Sequence, residues 1–164
     1  MNCSVWAEFQ KQQAVEREQL RRLLGEYRAL LQTVTPDPVQ LYALAGLLHS
    51  FYTGVENILK RAAMAFGSGP PQGRSWHRDL LDCMASPVAG RPALISANLR
   101  DRLDDYLTFR HRFRNLYAFE LEWERMAGLV SGCAATLEQL ETDLDAFLVS
   151  THLRTTETGD SPKR

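Results

Sequence analysis

The sequence predicts an all-α fold, a helical bundle of four long helices plus one short helix. Three observations carry that prediction. Apolar residues recur three and four positions apart through most of the chain. The breaks between these runs are short and marked by proline and glycine. Few stretches read as strands. The length of 164 residues fits one domain that can bury its own core. We place a helical domain at residues 1–151 and a polar, disordered tail at 152–164, where Thr, Gly, Ser, Pro and Lys dominate.

The first helix is expected from about Ser4 to Thr33. Its seam is Trp6, Phe9, Leu20, Leu23, Tyr27 and Leu30, with polar Gln13 and Glu16 between. Thr35-Pro36-Asp37-Pro38 ends it and supplies Asp37 as an N-cap and Pro38 as a first-turn residue for the next helix. That second helix runs to about Phe66 on a stripe of Leu41, Leu44, Leu48, Phe51, Val55, Ile58 and Ala62. A Gly- and Pro-rich loop over 67–73 follows, then a short helix from about Ser75, a candidate cap, to Ala85. After a loop over 86–92, a long helix is expected from about Ala93 to Tyr117. The last helix spans about Glu122 to Val149, on the seam Met126, Val130, Cys133, Leu137, Leu140, Leu144 and Phe147. Cys133 lies on that seam and is read as a small buried hydrophobe. The seams serve either bundle packing or a dimer interface, and the sequence alone does not separate these two.

Composition excludes several classes. The apolar share of 45% and the charged share of 24% belong to an ordinary globular protein. A formal net charge of -1 provides no global basic field, so any RNA contact must come from a local patch. Cys3, Cys83 and Cys133 are far apart and form no C-x-x-C pair, which argues against a disulfide framework or a zinc site. A reducing cytoplasm fits. The opening residues lack the pattern of a signal peptide, and no apolar run is long enough to span a bilayer. There is no Gly-rich phosphate loop, no H-E-x-x-H, no nucleophile elbow and no cluster of metal ligands. Neither a metal nor a cofactor is expected.

One segment breaks the pattern. Continuing the stripe Leu99, Leu103, Tyr106 places Arg110 and Tyr117 where apolar residues belong, on either side of Phe113. An arginine on a seam is costly unless it is paired or lines a cleft. Arg114 sits on the adjoining edge, and His111 and Asn115 stack four apart on the next. Arginine suits bidentate phosphate recognition and histidine suits proton transfer near neutral pH. Tyr106, Phe113 and Tyr117 offer stacking surfaces. The competing reading is a solvated or salt-bridged face, with Asp101, Asp104 and Asp105 neutralising the arginines. On the second helix His49, Tyr52 and Glu56 share one edge opposite the Leu stripe. They either orient the arginine cluster, Glu56 pairing with Arg110, or form an exposed polar face. His77 opens the short helix and reads as a surface cap histidine or as a residue that reaches a cleft.

Three segments together resemble a known family: Phe51-Tyr52-Thr53-Gly54-Val55-Glu56-Asn57-Ile58-Leu59, Ser75-Trp76-His77-Arg78-Asp79-Leu80-Leu81, and Phe109-Arg110-His111-Arg112-Phe113-Arg114-Asn115-Leu116-Tyr117. Over roughly Leu41 to the final helix the chain resembles the HEPN superfamily, specifically the HepT-like ribonuclease-toxin domains. The resemblance implies a HEPN-like bundle and a homodimer whose motif helices form a common cleft. It implies metal-independent RNA cleavage, and an arginine followed four to six residues later by a histidine. It also implies a cognate nucleotidyltransferase antitoxin that adenylylates a tyrosine two residues after that histidine. By position Arg110 matches the motif arginine and Tyr117 the modified tyrosine. Asn115 stands at the position of the histidine and cannot exchange a proton near neutral pH. On the toxin reading Arg110 and Arg114 bind the phosphate, His111 one turn before Asn115 supplies the missing imidazole for acid–base work, and Asn115 offers hydrogen bonds. Glu56, His77 and Tyr52 support them. The alternative is a non-catalytic HEPN-like module that binds RNA, a nucleotide or a partner protein.

Overall fold

The computed structural model describes residues 3–66, 69–88, 91–115, 117 and 120–157. Among them the chain forms six α-helices and no strand: α1 (Cys3–Glu26), α2 (Arg28–Leu31), α3 (Pro38–Ala65), α4 (Trp76–Ala85), α5 (Ala97–Phe113) and α6 (Trp123–Glu157). The first predicted helix is thus two, because the chain breaks at Tyr27 just after Gly25, a poor helix former. Only its N-terminal seam is fully buried: Trp6, Phe9, Gln13 and Leu20 lie inside, whereas Tyr27 is exposed.

Helix α3 is the axis of the bundle. Its start is fixed as the sequence predicts. The Asp37 carboxylate accepts from the amides of Val39 and Gln40, both at 2.9 Å, and Gln40 returns the bond by accepting from the Asp37 amide at 3.0 Å. Pro38 fills the first turn without wasting a donor. The helix packs against α1, α4, α5 and α6, so two of its faces are buried rather than one. Besides the Leu stripe, Tyr52, Gly54, Glu56, Leu59 and Ala63 are inside. At Gly54 α1 comes close: a Cβ there would sit 2.7 Å from the Leu20 side chain. The chain then turns towards α4 through Gly69 and Gly73, whose φ angles of 64° and 104° suit glycine alone. Residues 67 and 68 of this predicted loop lie outside the described residues.

The long helix predicted over 93–117 is shorter at both ends. Leu94 and Ile95 are buried below the end of α4, and their amides donate to the Met84 carbonyl at 2.8 and 3.3 Å. Ser96 then caps α5, accepting from the Leu99 amide, while its own amide donates to Asp143 of α6 at 2.7 Å. At the other end Asn115 competes with the helix. Its side-chain amide donates to the His111 carbonyl at 3.2 Å, and its backbone amide closes a tight turn onto Arg112 at 3.0 Å. Tyr117 consequently lies beyond the helix and not on its seam, with its phenol exposed. Leu116 lies outside the described residues.

Helix α6 closes the bundle with every residue of its predicted seam buried, Cys133 included. Burial pushes the Cys133 thiol up to about 11, as befits an apolar filler. The helix runs to Glu157, and residues 158–164 of the predicted tail lie outside the described residues. Cys83 and Cys133 are both free thiols. No helix among the described residues is long and apolar enough to cross a membrane.

Candidate functional site

A buried carboxylate collects the residues that the sequence singles out. Glu56 is 2% exposed, in the middle of α3. An isolated charge at that depth is prohibitively costly, so it must be met by cations and donors. Three arrive. Arg110 Nη1 of α5 donates to Glu56 Oε2 at 2.8 Å. His77 Nδ1 of α4 lies 2.5 Å from the same oxygen. Lys60, one turn on in α3, places Nζ 3.5 Å from Oε1. An ionised carboxylate only accepts, so His77 Nδ1 carries the proton and the ring is held in one tautomer.

Aromatic rings brace the cations. The Arg110 guanidinium lies over Tyr52, with Cζ 5.6 Å from the ring centroid. Tyr52 is buried, and loss of solvation pushes its phenol well above the ordinary tyrosine range. Its role is therefore that of a neutral platform. Trp76 stacks on His77 with centroids 3.6 Å apart and interplanar angle 28°, and Lys60 sits 5.9 Å from the Trp76 ring. The edge that carries Tyr52 and Glu56 is consequently core and not an exposed polar face. His77 is not a surface cap: the sequence misplaces it because the turn that brings α4 onto α3 is not written in local spacing. Ser75 bonds the Asp79 carboxylate at 2.7 Å rather than a backbone amide.

Arg110 retains donors. Among the described residues Glu56 is the only acceptor for its guanidinium, and the buried Nε has no partner. His111 is exposed at the rim of this cluster, with its ring 5.2 Å from that of His77 in an edge-on arrangement. Loss of solvation, the adjacent His77, and the charges of Arg110, Arg114 and Arg78 hold His111 below the ordinary imidazole range. His49, packed on Phe113 at 5.9 Å, is lowered in the same way by burial and by Arg110 and Arg114.

Not everything expected assembles here. Asp101 pairs with Arg100, and Asp104 forms a two-point pair with Arg78 at 2.7 and 3.3 Å. Among the described residues no carboxylate lies within ion-pair distance of Arg112 or Arg114, so the basic end of α5 stays unneutralised. Arg110 and His111 also diverge. Arg110 turns inward to Glu56, whereas His111, Arg112 and Asn115 line a groove of about 1190 Å³ between α5 and the start of α6. Asn115 is spent partly on capping α5. Lys60 is the functional residue that sequence reading missed, although its spacing of four from Glu56 was the available signal. No group of three or more His, Cys, Asp or Glu side chains among the described residues is placed to hold a metal ion.

A family model described as HepT-like protein matches residues 43–151, which include α4 and α5 entire and nearly all of α3. The chain belongs to the HepT-like family. No curated protein and no solved structure matches it. The HepT-like match and the all-α bundle agree with the HEPN-type fold that the three sequence segments suggest. In this HepT-like domain the matched region contains every member of the Glu56 cluster.

Two outcomes follow from this geometry. Replacing Glu56 by Leu leaves the Arg110 guanidinium and the His77 ring buried without their acceptor, and should cost about 3–5 kcal/mol in urea unfolding. Adding Arg110→Leu should recover part of that loss; simple additivity of the two changes would contradict the pairing. Second, the fold lowers the proton affinity of His111 and His49, so an unfolded chain binds protons first as pH falls. Stability present above the ordinary imidazole value of about 6.5 should decline below it. NMR titration should find the His111 midpoint below that value and raised by Arg114→Gln. A midpoint at or above it, indifferent to Arg114, would contradict the assignment.

Proposed function

We propose that this HepT-like chain is the toxin of a HEPN and nucleotidyltransferase toxin–antitoxin pair, a metal-independent endoribonuclease acting in the cytoplasm as a homodimer with its site at the dimer cleft. The observation that carries this reading is the buried Glu56 carboxylate, which holds both the Arg110 guanidinium and His77, whose ring faces that of the exposed His111. A guanidinium so anchored is positioned in advance for a phosphate oxygen and for the charge that grows on it. Arg114 adds a second cation at the end of the same helix. A largely neutral imidazole is the form that accepts a proton from a ribose 2′-hydroxyl. The HepT-like match supports the family context from which the RNA substrate and the antitoxin partner are inferred.

Tyr117 fits the role of control point. Its side chain is 71% exposed, just beyond α5, and its amide donates to Glu120 at 2.7 Å. Adenylylation there would add a bulky anion just past the basic end of α5, where it would compete with RNA phosphate. A second reading has its own observation. Asn115 donates to the His111 carbonyl and acts as a helix cap, so the position where the family carries its histidine serves structure here. On that reading the cluster binds RNA, a nucleotide or a partner protein without turnover.

Purified protein incubated with RNA in EDTA should release fragments with 2′,3′-cyclic phosphate ends, and His111→Ala should slow this at least about 10²-fold while the fold is kept. RNA bound without cleavage by a folded protein would favour the binding module, and full activity of Arg110→Ala would contradict the site.

A further inference from the structure

The ribonuclease reading places one imidazole at the site, yet strand cleavage moves two protons. One leaves the 2′-hydroxyl and one must reach the departing 5′ oxygen. His77 is the second imidazole that the fold brings to the same place. It comes from α4, outside the helix that carries the arginine motif, and its ring stands 5.2 Å from that of His111. Its Nδ1 is committed to Glu56, which fixes the tautomer and leaves Nε2 as the nitrogen that exchanges protons. Trp76 stacked at 3.6 Å fixes the plane of the ring.

We propose that His77 is a catalytic residue, the general acid that protonates the leaving 5′ oxygen, with His111 as the general base in the same protomer. This deepens the ribonuclease reading and rests on it. The 2′ oxygen attacks phosphorus and its proton passes to His111. The bond from phosphorus to the 5′ oxygen breaks, and the proton on His77 goes to that oxygen. A 2′,3′-cyclic phosphate and a 5′-hydroxyl result, the two rings have exchanged protonation states, and water resets them. No co-reactant is needed.

The assignment of roles follows from charge partners. His77 shares the Glu56 carboxylate with Lys60 of α3 and Arg110 of α5, and its ring faces that of His111. It is the one imidazole of the pair with a carboxylate, and an imidazolium needs such a partner. His111 faces His77 and the three arginines and has no carboxylate partner among the described residues. Glu56 Oε2 accepts from His77 and Arg110 alike, so a single oxygen sets the acid relative to the phosphate-binding guanidinium.

The test uses two substrates, RNA and a uridine 3′-nitrophenyl phosphate whose leaving group departs without a proton. His77→Asn keeps a donor at the Nδ1 position for Glu56 and removes the proton-transferring nitrogen. It should lose about 10²–10⁴-fold on RNA and stay within a few-fold of the parent protein on the nitrophenyl ester. His111→Ala should lose on both substrates. Equal loss on both substrates, or no loss on RNA, would overturn the acid role of His77 and leave the ribonuclease reading intact. Cleavage of neither substrate by the unsubstituted protein would overturn that reading and this proposal together.

Discussion

Glu56 is the constraint on which the rest of the site depends. A carboxylate buried in the middle of α3 has almost no solvent to meet it, so the fold must bring positive charge inward. It does so from three directions: Arg110 from α5, His77 from α4 and Lys60 from α3 itself. The same ion pairs that make the carboxylate tolerable fix the distance between α3, α4 and α5. They explain why an arginine occupies a seam position that the apolar repeat reserves for leucine. A local rule is broken there, and the compensation is a chemically competent cluster instead of extra core.

The ends of α4 and α5 adapt to that cluster. Arg91 is buried and donates to the carbonyls of Cys83 and Ser86 at 2.6 and 3.0 Å, so the exit of α4 is sealed by a side chain. Leu94 and Ile95 then pass under α4 before α5 begins. The position of His77 over Glu56 is thus set by buried apolar side chains at the far end of its own helix. At the other end of the site α5 stops at Phe113, and Asn115 just beyond it lines the groove between α5 and α6. Arg110 and His111 are sequence neighbours with opposite tasks, one anchored inside and one presented outside. A difference of about 100° around the helix is enough to produce both.

The sequence made the bundle legible wherever burial has one face. The α6 seam and the Leu stripe of α3 are periodic and are buried as read, with Leu41 at the margin. The Asp37 cap is legible because its signal is local chemistry within four residues. The pairing of Glu56 with Arg110 is legible because Arg110 breaks an apolar seam and needs a carboxylate, and Glu56 is the acidic residue on the facing edge of α3. What stayed hidden depends on tertiary docking. Nothing in Trp76-His77 says that α4 lays this histidine over a carboxylate twenty-one residues earlier. The start of α5 was read too early because Leu94 and Ile95 continue an apolar run that packs as an irregular segment. Its end was read too late because Asn115 and Tyr117 keep the spacing of a helix that the asparagine itself terminates.

The central claim is that the Glu56 carboxylate orients His77 by taking its Nδ1 proton in a hydrogen bond. Long-range nitrogen–proton NMR correlation of the histidine rings tests it most directly. The account predicts a His77 ring protonated at Nδ1, with that proton protected from exchange and shifted far downfield, and the loss of this signal in Glu56→Gln. A neutral His77 protonated at Nε2 alone, unchanged by Glu56→Gln, would contradict it.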